Sequence, residues 1–110
     1  MSITTHVLDT SIGRPATRIA VRLEWEAAGW ADISSTVTDI DGRAVLVPKG
    51  MTVEPGTYRL TFDVAGYFQE RAVEAFYRRI AVEFVVRDAA SHHHVPLLLS
   101  PFGYSTYRGS

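Results

Sequence analysis

The chain has 110 residues, of which 46% are hydrophobic and 21% are charged, and it contains no cysteine. These values are typical of one globular domain with its own core, and they exclude a disordered chain, a disulfide framework and a thiol nucleophile. A net charge of −1 gives no basic surface for nucleic acid, and no apolar run has the roughly 18 residues of a membrane span. We therefore expect a single domain over residues 1–110, without a secretion signal, in the cytoplasm.

Eight segments have the alternation of apolar and polar residues, or the content of β-branched and aromatic residues, that is typical of strands. Glycine, proline and aspartate separate them, most clearly at Asp41-Gly42. Residues 65–75 instead have apolar residues at helical spacing, which predicts one short helix. Strands that recur about every 8–12 residues predict an all-β antiparallel sandwich or barrel. The predicted strands are residues 3–9, 19–25, 30–38, 44–47, 57–64, 80–86, 91–99 and 104–108.

The strand at residues 91–99 is too apolar on its outer face for open solvent. The face that begins with His93 suits a core, whereas the opposite face carries the other two histidines, Pro96 and Leu98. Proline cannot donate to a sheet ladder, so Pro96 predicts a bulge or a site where its nitrogen needs no partner. If this strand neighbours the first and last strands, polar residues and leucines share one surface, which predicts a site where subunits meet. The residues on that surface are His6, Leu8, His94, Leu98 and Tyr107.

Three segments resemble the signatures of the 5-hydroxyisourate hydrolases, the transthyretin-related enzymes of urate breakdown. They are residues 3–16, residues 94–101 and the terminal Tyr-Arg-Gly-Ser of residues 107–110. The resemblance implies a transthyretin-like (prealbumin-like) two-sheet sandwich of eight strands, with a short helix between the fifth and the sixth. It also implies a homotetramer, built as a dimer of dimers, with active sites in a channel between the dimers. No metal or organic cofactor is implied.

The same resemblance implies a reaction and a set of site residues. The family adds water to 5-hydroxyisourate and opens a cyclic amide C–N bond, which gives 2-oxo-4-hydroxy-4-carboxy-5-ureidoimidazoline. The alternative is a carrier that holds a small aromatic molecule in the same channel, although a carrier needs no general base. Matching positions would make His6, Arg43, His94 and Ser110 catalytic, and would make His6, Arg43, Tyr107 and Arg108 substrate-binding.

The residue types at these positions suit hydrolysis. A neutral imidazole, with an ordinary pKa of about 6.5, can accept a proton from water near neutral pH. The permanent charge of Arg43 can hold an anionic heterocycle and a developing oxyanion. The residues leave open whether His6 or His94 is the base, and whether Ser110 acts through its hydroxyl or a carboxylate. A metal site is not expected at residues 92–94, because alternation leaves only two of the three histidines on one face.

The chain departs from the family pattern in two places. His93 stands where the family usually has a tyrosine between two histidines, and Phe76-Tyr77-Arg78-Arg79 replaces a Phe-Phe-Pro-Glu segment. Because His93 falls on the face opposite His94, we expect the first departure to affect packing more than chemistry.

Overall fold

The computed structural model describes residues 2–110, which form two β-sheets packed face to face and a short helix. The two-sheet sandwich is thereby confirmed, and a barrel is excluded. One strand was not predicted, the two-residue β2, which lies within an expected turn. The elements of the described range are β1 (Ser2–Asp9), β2 (Arg14–Pro15), β3 (Ala20–Ala27), β4 (Gly29–Val37), β5 (Arg43–Val47), β6 (Gly56–Asp63), α1 (Val64–Glu70), β7 (Arg79–Val86), β8 (His92–Ser100) and β9 (Gly103–Thr106).

The first sheet is built around β1. On one side β1 pairs with β8 over its whole length, from Ser2 opposite His92 to Asp9 opposite Leu99. On the other side it pairs first with β5 and then with β2, and β9 extends the sheet beyond β8. The β1–β8 pair is parallel, unlike the antiparallel arrangement that was predicted. Parallel neighbours need a long connection, and the segment from β2 to β7 supplies it here.

The second sheet is antiparallel throughout, in the order β4-β3-β6-β7. Alternation along β3 places Glu24 on its outer face, yet this side chain is buried. Arg59, its cross-strand neighbour on β6, explains the burial, because its guanidinium lies 2.8 Å from the carboxylate. The same guanidinium lies over the Trp30 ring, 4.2 Å from its centroid, in a cation–π contact.

Helix α1 ends at Glu70, five residues before the predicted end. Ala72 has a φ of 55°, in the left-handed region, which stops the helical hydrogen-bond pattern. The N–H groups of Ala72 and Val73 donate to the carbonyls of Gln69 and Phe68, which completes a Schellman motif. No helix in residues 2–110 is long and apolar enough to cross a membrane.

The core lies between the two sheets, where the inward side chains of β1 and β8 meet those of the second sheet and α1. A buried hydrogen bond joins α1 to this layer: the Tyr67 hydroxyl donates to Asp9 Oδ2 at 2.7 Å. Burial and the Asp9 carboxylate raise the pKa of Tyr67 to about 12, so the hydroxyl remains a donor. The fully buried side chains include Ile3, Val7, Leu23, Leu60, Phe62, Phe68, Leu97 and Leu99.

The terminal segment, residues 107–110, follows β9 and continues its antiparallel register along β8. Strand β9 ends at Thr106, two residues before the predicted end, and a further bridge joins Gly109 to His94. Between them the Thr106 hydroxyl donates to the Pro96 carbonyl at 2.7 Å. Pro96 has no N–H to donate to this segment, and the regular β8–β9 pairs begin at Leu97. The predicted bulge is not found in the β1–β8 ladder, which runs through Pro96 without a register shift.

Candidate active site

Three of the predicted catalytic residues lie on the outer face of the first sheet. Arg43 on β5 is the cross-strand partner of His6 on β1, and His94 on β8 is the partner of Thr4. Cross-strand partners point to the same face of a sheet, and Thr4 and His6 share a face because they are two residues apart. The pairing register alone therefore brings His6, Arg43 and His94 together.

A cleft of about 290 Å³ opens on this face. His6 is not one of its lining residues and lies beside it on β1. The cleft therefore contains three of the four predicted catalytic residues and has the fourth as a neighbour. Its lining consists of Thr4, Thr5, Arg43, Ala44, Val45, His92, His94 and Ser110.

The turn before β5 determines the position of Arg43. Asp39 Oδ1 accepts hydrogen bonds from the N–H groups of Asp41 and Arg43, each at 2.9 Å, so Asp39 stabilises the turn. Gly42 has a φ of 75°, and a Cβ at this position would overlap the Val7 carbonyl oxygen. The Val7 N–H donates to the Gly42 carbonyl at 2.8 Å, so the turn lies directly against β1. This contact explains why Arg43 begins β5 beside His6.

The imidazole of His94 has neighbours on three sides. Its Nδ1 lies 2.7 Å from Thr4 Oγ1, and its ring stacks on His92 with 6.0 Å between centroids. The Cδ2 edge faces Gly109, where an added Cβ would lie 2.6 Å from Cδ2. The ring is therefore held by β1, by its own strand and by the terminal segment.

The charge state of His94 suits a base. Burial lowers its pKa below the ordinary value, and charge–charge interactions with His92, Arg43 and His6 lower it further, while a hydrogen bond with the Thr4 backbone acts in the opposite direction. The ring is therefore neutral at neutral pH. A neutral imidazole beside a permanent cation can take a proton from water while the cation holds an anion.

Tyr107 and Arg108 do not line the cleft. They line a different cavity of about 310 Å³, together with His93, Val95 and part of β7. His93 and Val95 are on the face of β8 opposite His94, so this cavity lies behind the candidate site. Arg108 donates to the carbonyl of His92 at 3.2 Å, which holds the terminal segment against the start of β8.

His93 faces the interior, as its position in the alternation predicts, and is 4% exposed. Its Nδ1 lies 3.1 Å from the Ser91 carbonyl oxygen, which makes Nδ1–H the donor. Burial is the main cause that lowers the pKa of His93, with Arg108 and His92 adding to it; the Ser91 hydrogen bond and Asp88 oppose them. The departure from the family pattern thus places a neutral histidine in the protein interior.

Two cleft residues that contact the His94 ring, Thr4 and His92, were not among the predicted site residues. Alternation does place Thr4 with His6 and His92 with His94, but a threonine in a strand carries no specific signal for function. No role was predicted for His92, because two histidines on one face are too few for a metal site. Within residues 2–110, no group of three or more histidine, cysteine, aspartate or glutamate side chains is arranged to hold a metal ion.

The sandwich and its outer face define a transthyretin-like domain with a histidine–arginine cleft. The sequence profile of the HIUase/Transthyretin family matches residues 3–109. Mouse (Mus musculus) 5-hydroxyisourate hydrolase is 42% identical over 111 residues, which cover 98% of this chain and 94% of the mouse chain. The chain therefore belongs to the HIUase/Transthyretin family, and the resemblance seen in its three motifs is confirmed.

Solved structures agree with this assignment. The structure of Klebsiella pneumoniae 5-hydroxyisourate hydrolase matches with a TM-score of 0.85 and 34% identity over 100% of both chains. Transthyretin from Sparus aurata matches with a TM-score of 0.88 and 29% identity, over 97% of this chain and 95% of the other. The fold is thus shared by hydrolase and transthyretin relatives, and the cleft residues must decide between their functions.

Proposed function

We propose that this protein is a 5-hydroxyisourate hydrolase that acts in urate (purine) degradation and forms 2-oxo-4-hydroxy-4-carboxy-5-ureidoimidazoline. One observation carries the proposal: a neutral His94 and the cationic Arg43 line the same cleft, with His6 beside them. A carrier would not need a proton acceptor there. The name of the mouse relative, at 42% identity over nearly the whole chain, gives the substrate.

In the proposed reaction, His94 accepts a proton from a water molecule while the water oxygen forms a bond to a ring amide carbonyl carbon. The C–N bond of that amide then breaks, and the ring nitrogen takes the proton back from His94. One water molecule is consumed, and the acyl carbon becomes a carboxylic acid that ionises. His94 is favoured over His6 as the base because it lines the cleft and its pKa is lowered.

Arg43 is proposed to hold the oxyanion that forms when water adds to the carbonyl. Loss of one such donor typically reduces kcat by about 10²–10³-fold. His6 is proposed to contact the substrate from its position next to Arg43. Ser110 lines the cleft and is proposed to orient His94 or the substrate. Substrate binding by Tyr107 and Arg108 stays a prediction, because the cavity that they line lies on the other face of β8.

We also propose the homotetramer, with active sites between two dimers. The cleft is near the lower limit of ligand-pocket volumes, about 300 Å³, and it lies on a sheet face. Apolar side chains share this face: Val45 is 56% exposed in the single chain, and Leu98 is half-buried. A second dimer over this face would cover both and enclose the substrate.

The cytoplasmic location stays a prediction for cell fractionation to test.

The ultraviolet absorbance of freshly generated 5-hydroxyisourate tests the function, because the compound decays spontaneously at a measurable rate. We expect the folded protein to accelerate the decay in proportion to its concentration, while heat-denatured protein has no effect. A decay rate equal to the spontaneous one would overturn the hydrolase. Binding of the heterocycle without acceleration would then indicate a carrier.

A further inference from the structure

We infer that Thr4 and Gly109 are positioning residues that hold the imidazole of His94 from two sides, Thr4 through Nδ1 and Gly109 through the Cδ2 edge. The inference rests on the proposed function, in which His94 takes a proton from water. Both residues lie within the family motifs but were given no role there. The inference explains how one ring nitrogen is kept available for the reaction.

Thr4 engages the ring from the neighbouring strand. Its Oγ1 lies 2.7 Å from His94 Nδ1, and the two residues are direct partners in the parallel ladder of β1 and β8. The contact is therefore fixed by two packed strands and not by a mobile loop. A neutral imidazole carries one proton, and a proton on Nδ1 leaves the lone pair of Nε2 free. Nε2 is then the nitrogen that accepts a proton from water.

The neighbours of Thr4 can complete a chain of hydrogen bonds in this direction of donation. His92 Nε2 lies 3.5 Å from Thr4 Oγ1, and the Ser2 hydroxyl contacts His92 Nδ1. The Thr4 hydroxyl can accept the Nδ1–H of His94 and donate its own proton to His92 Nε2. His92 Nδ1–H then donates to Ser2, so every group donates in the same direction. With this direction of donation, the chain of hydrogen bonds leaves His94 Nε2 free to accept a proton.

Gly109 confines the opposite edge of the ring. A Cβ at this position would lie 2.6 Å from His94 Cδ2 and 3.2 Å from Pro96 Cγ, so any side chain would displace the ring. The Gly109 N–H donates to the His94 carbonyl at 2.8 Å, which fixes the glycine against β8. The glycine is needed here for close approach to the ring. It prevents the imidazole from rotating away from Thr4.

Substitutions at Thr4 separate the hydroxyl from the side-chain shape. Thr4→Val keeps the shape and removes the hydroxyl. We expect kcat to fall by about 10- to 100-fold with KM nearly unchanged, a loss of the size seen when a metal-binding histidine loses its hydrogen-bond partner. Thr4→Ser restores the hydroxyl and is expected to restore most of kcat. Thr36→Val, on a strand of the second sheet, is the matched control. Equal losses in Thr4→Val and Thr4→Ser would overturn the role of the hydroxyl.

A second readout needs no substrate. The ¹⁵N chemical shifts of the His94 ring report which nitrogen carries the proton, and we expect Nδ1–H in the wild type and a larger Nε2–H population in Thr4→Val. An unchanged tautomer would overturn the positioning role even if activity fell. Failure of the wild-type protein to hydrolyse 5-hydroxyisourate would overturn the proposed function but would leave this measurement intact.

Gly109 has its own matched control in the same segment. Gly109→Ala is expected to reduce kcat by about 10-fold or more, because the ring must move. A Cβ at Gly103 would make only an ordinary 3.7 Å contact with Ser100 Oγ, so Gly103→Ala should keep wild-type activity. Wild-type kcat in a folded Gly109→Ala protein would contradict the role of the glycine.

Discussion

At the scale of single residues, burial lowers the pKa of His94 and so keeps the proposed base neutral. The ring is half-buried, and the groups that surround it, His92, Arg43 and His6, all disfavour a positive charge on it. Protonation would also place that charge next to the cation that is proposed to hold the oxyanion. Burial and the neighbouring groups therefore keep the base neutral, and Arg43, one of these groups, is a permanent cation that can also attract an anionic substrate.

The pH profile of activity follows from this environment. Because the pKa of His94 lies below 6.5, we expect kcat/KM to remain constant at neutral pH and to decline only below pH 6.5. The measurement is the initial rate of 5-hydroxyisourate decay across a pH series, corrected for the spontaneous rate. An acid-side inflection above pH 6.5 would show that another group, or a histidine with a raised pKa, is the base.

The buried His93 makes the unfolding free energy depend on pH. Its folded pKa is below its ordinary value of 6.5, so the unfolded chain binds more protons as pH falls past this value. Its contribution is present above about pH 6.5 and is lost below it. His93→Tyr removes this titration. When pH falls from about 8 to about 5.5, we therefore expect the wild type to lose more unfolding free energy than the variant does. Urea unfolding at both values measures it; an unchanged difference would contradict the assignment.

At the scale of elements, the end of α1 depends on a conformation that the sequence does not announce. Glycine is the usual residue at the left-handed position of a Schellman motif, and this chain has Ala72 there. Without a glycine signal, the apolar spacing of residues 65–75 predicts a longer helix than the one that forms. The hydrogen bonds of Ala72 and Val73 to the last turn offset the cost of the conformation.

Ala72→Gly tests this cost directly. Glycine adopts a positive φ without the steric penalty of a Cβ, so we expect a gain of about 0.5–1 kcal/mol in unfolding free energy, net of the added freedom of the unfolded chain. Ala65→Gly, within α1, is the control and should lose about 0.5–1 kcal/mol. Chemical denaturation measures both. A similar loss in both variants would show that Ala72 is not strained.

Alternation was sufficient to predict most strands and the faces of β1 and β8, because inward and outward positions follow from a period of two. It placed His6 and His94 on outer faces correctly. It did not predict that β1 and β8 are parallel, since pairing between segments so far apart in the chain depends on tertiary packing. The contacts of Thr4 and Gly109 with His94 depend on that pairing, and no local pattern encodes them.

At the scale of the whole molecule, the candidate site lies on an open sheet face, and the proposed tetramer would enclose it. Leu98 lies on this face, two residues beyond Pro96, which is the partner of His6 on β8. Its side chain is half-buried in the single chain, so it adds apolar surface beside the cleft. Assembly and activity are therefore expected to depend on the same face.

Leu98→Arg should separate the proposed dimers, because a second dimer would have to bury an unpaired charge. We expect sedimentation at micromolar concentration to show a smaller species than the wild type, and activity to fall with the loss of assembly. Val37→Arg, at a 51% exposed position on the edge strand β4, is the control and should remain fully assembled. An active, folded monomer would refute a site shared between subunits.

The most direct test is the decay of freshly generated 5-hydroxyisourate with wild-type and His94→Ala proteins that are equally folded and assembled. If His94 is the base, the wild type accelerates the decay in proportion to its concentration, and His94→Ala loses about 10²–10⁴-fold of that acceleration. Thr36→Val, outside the cleft, should match the wild type. A His94→Ala protein that hydrolyses the substrate at the wild-type rate would contradict the proposed chemistry of this cleft.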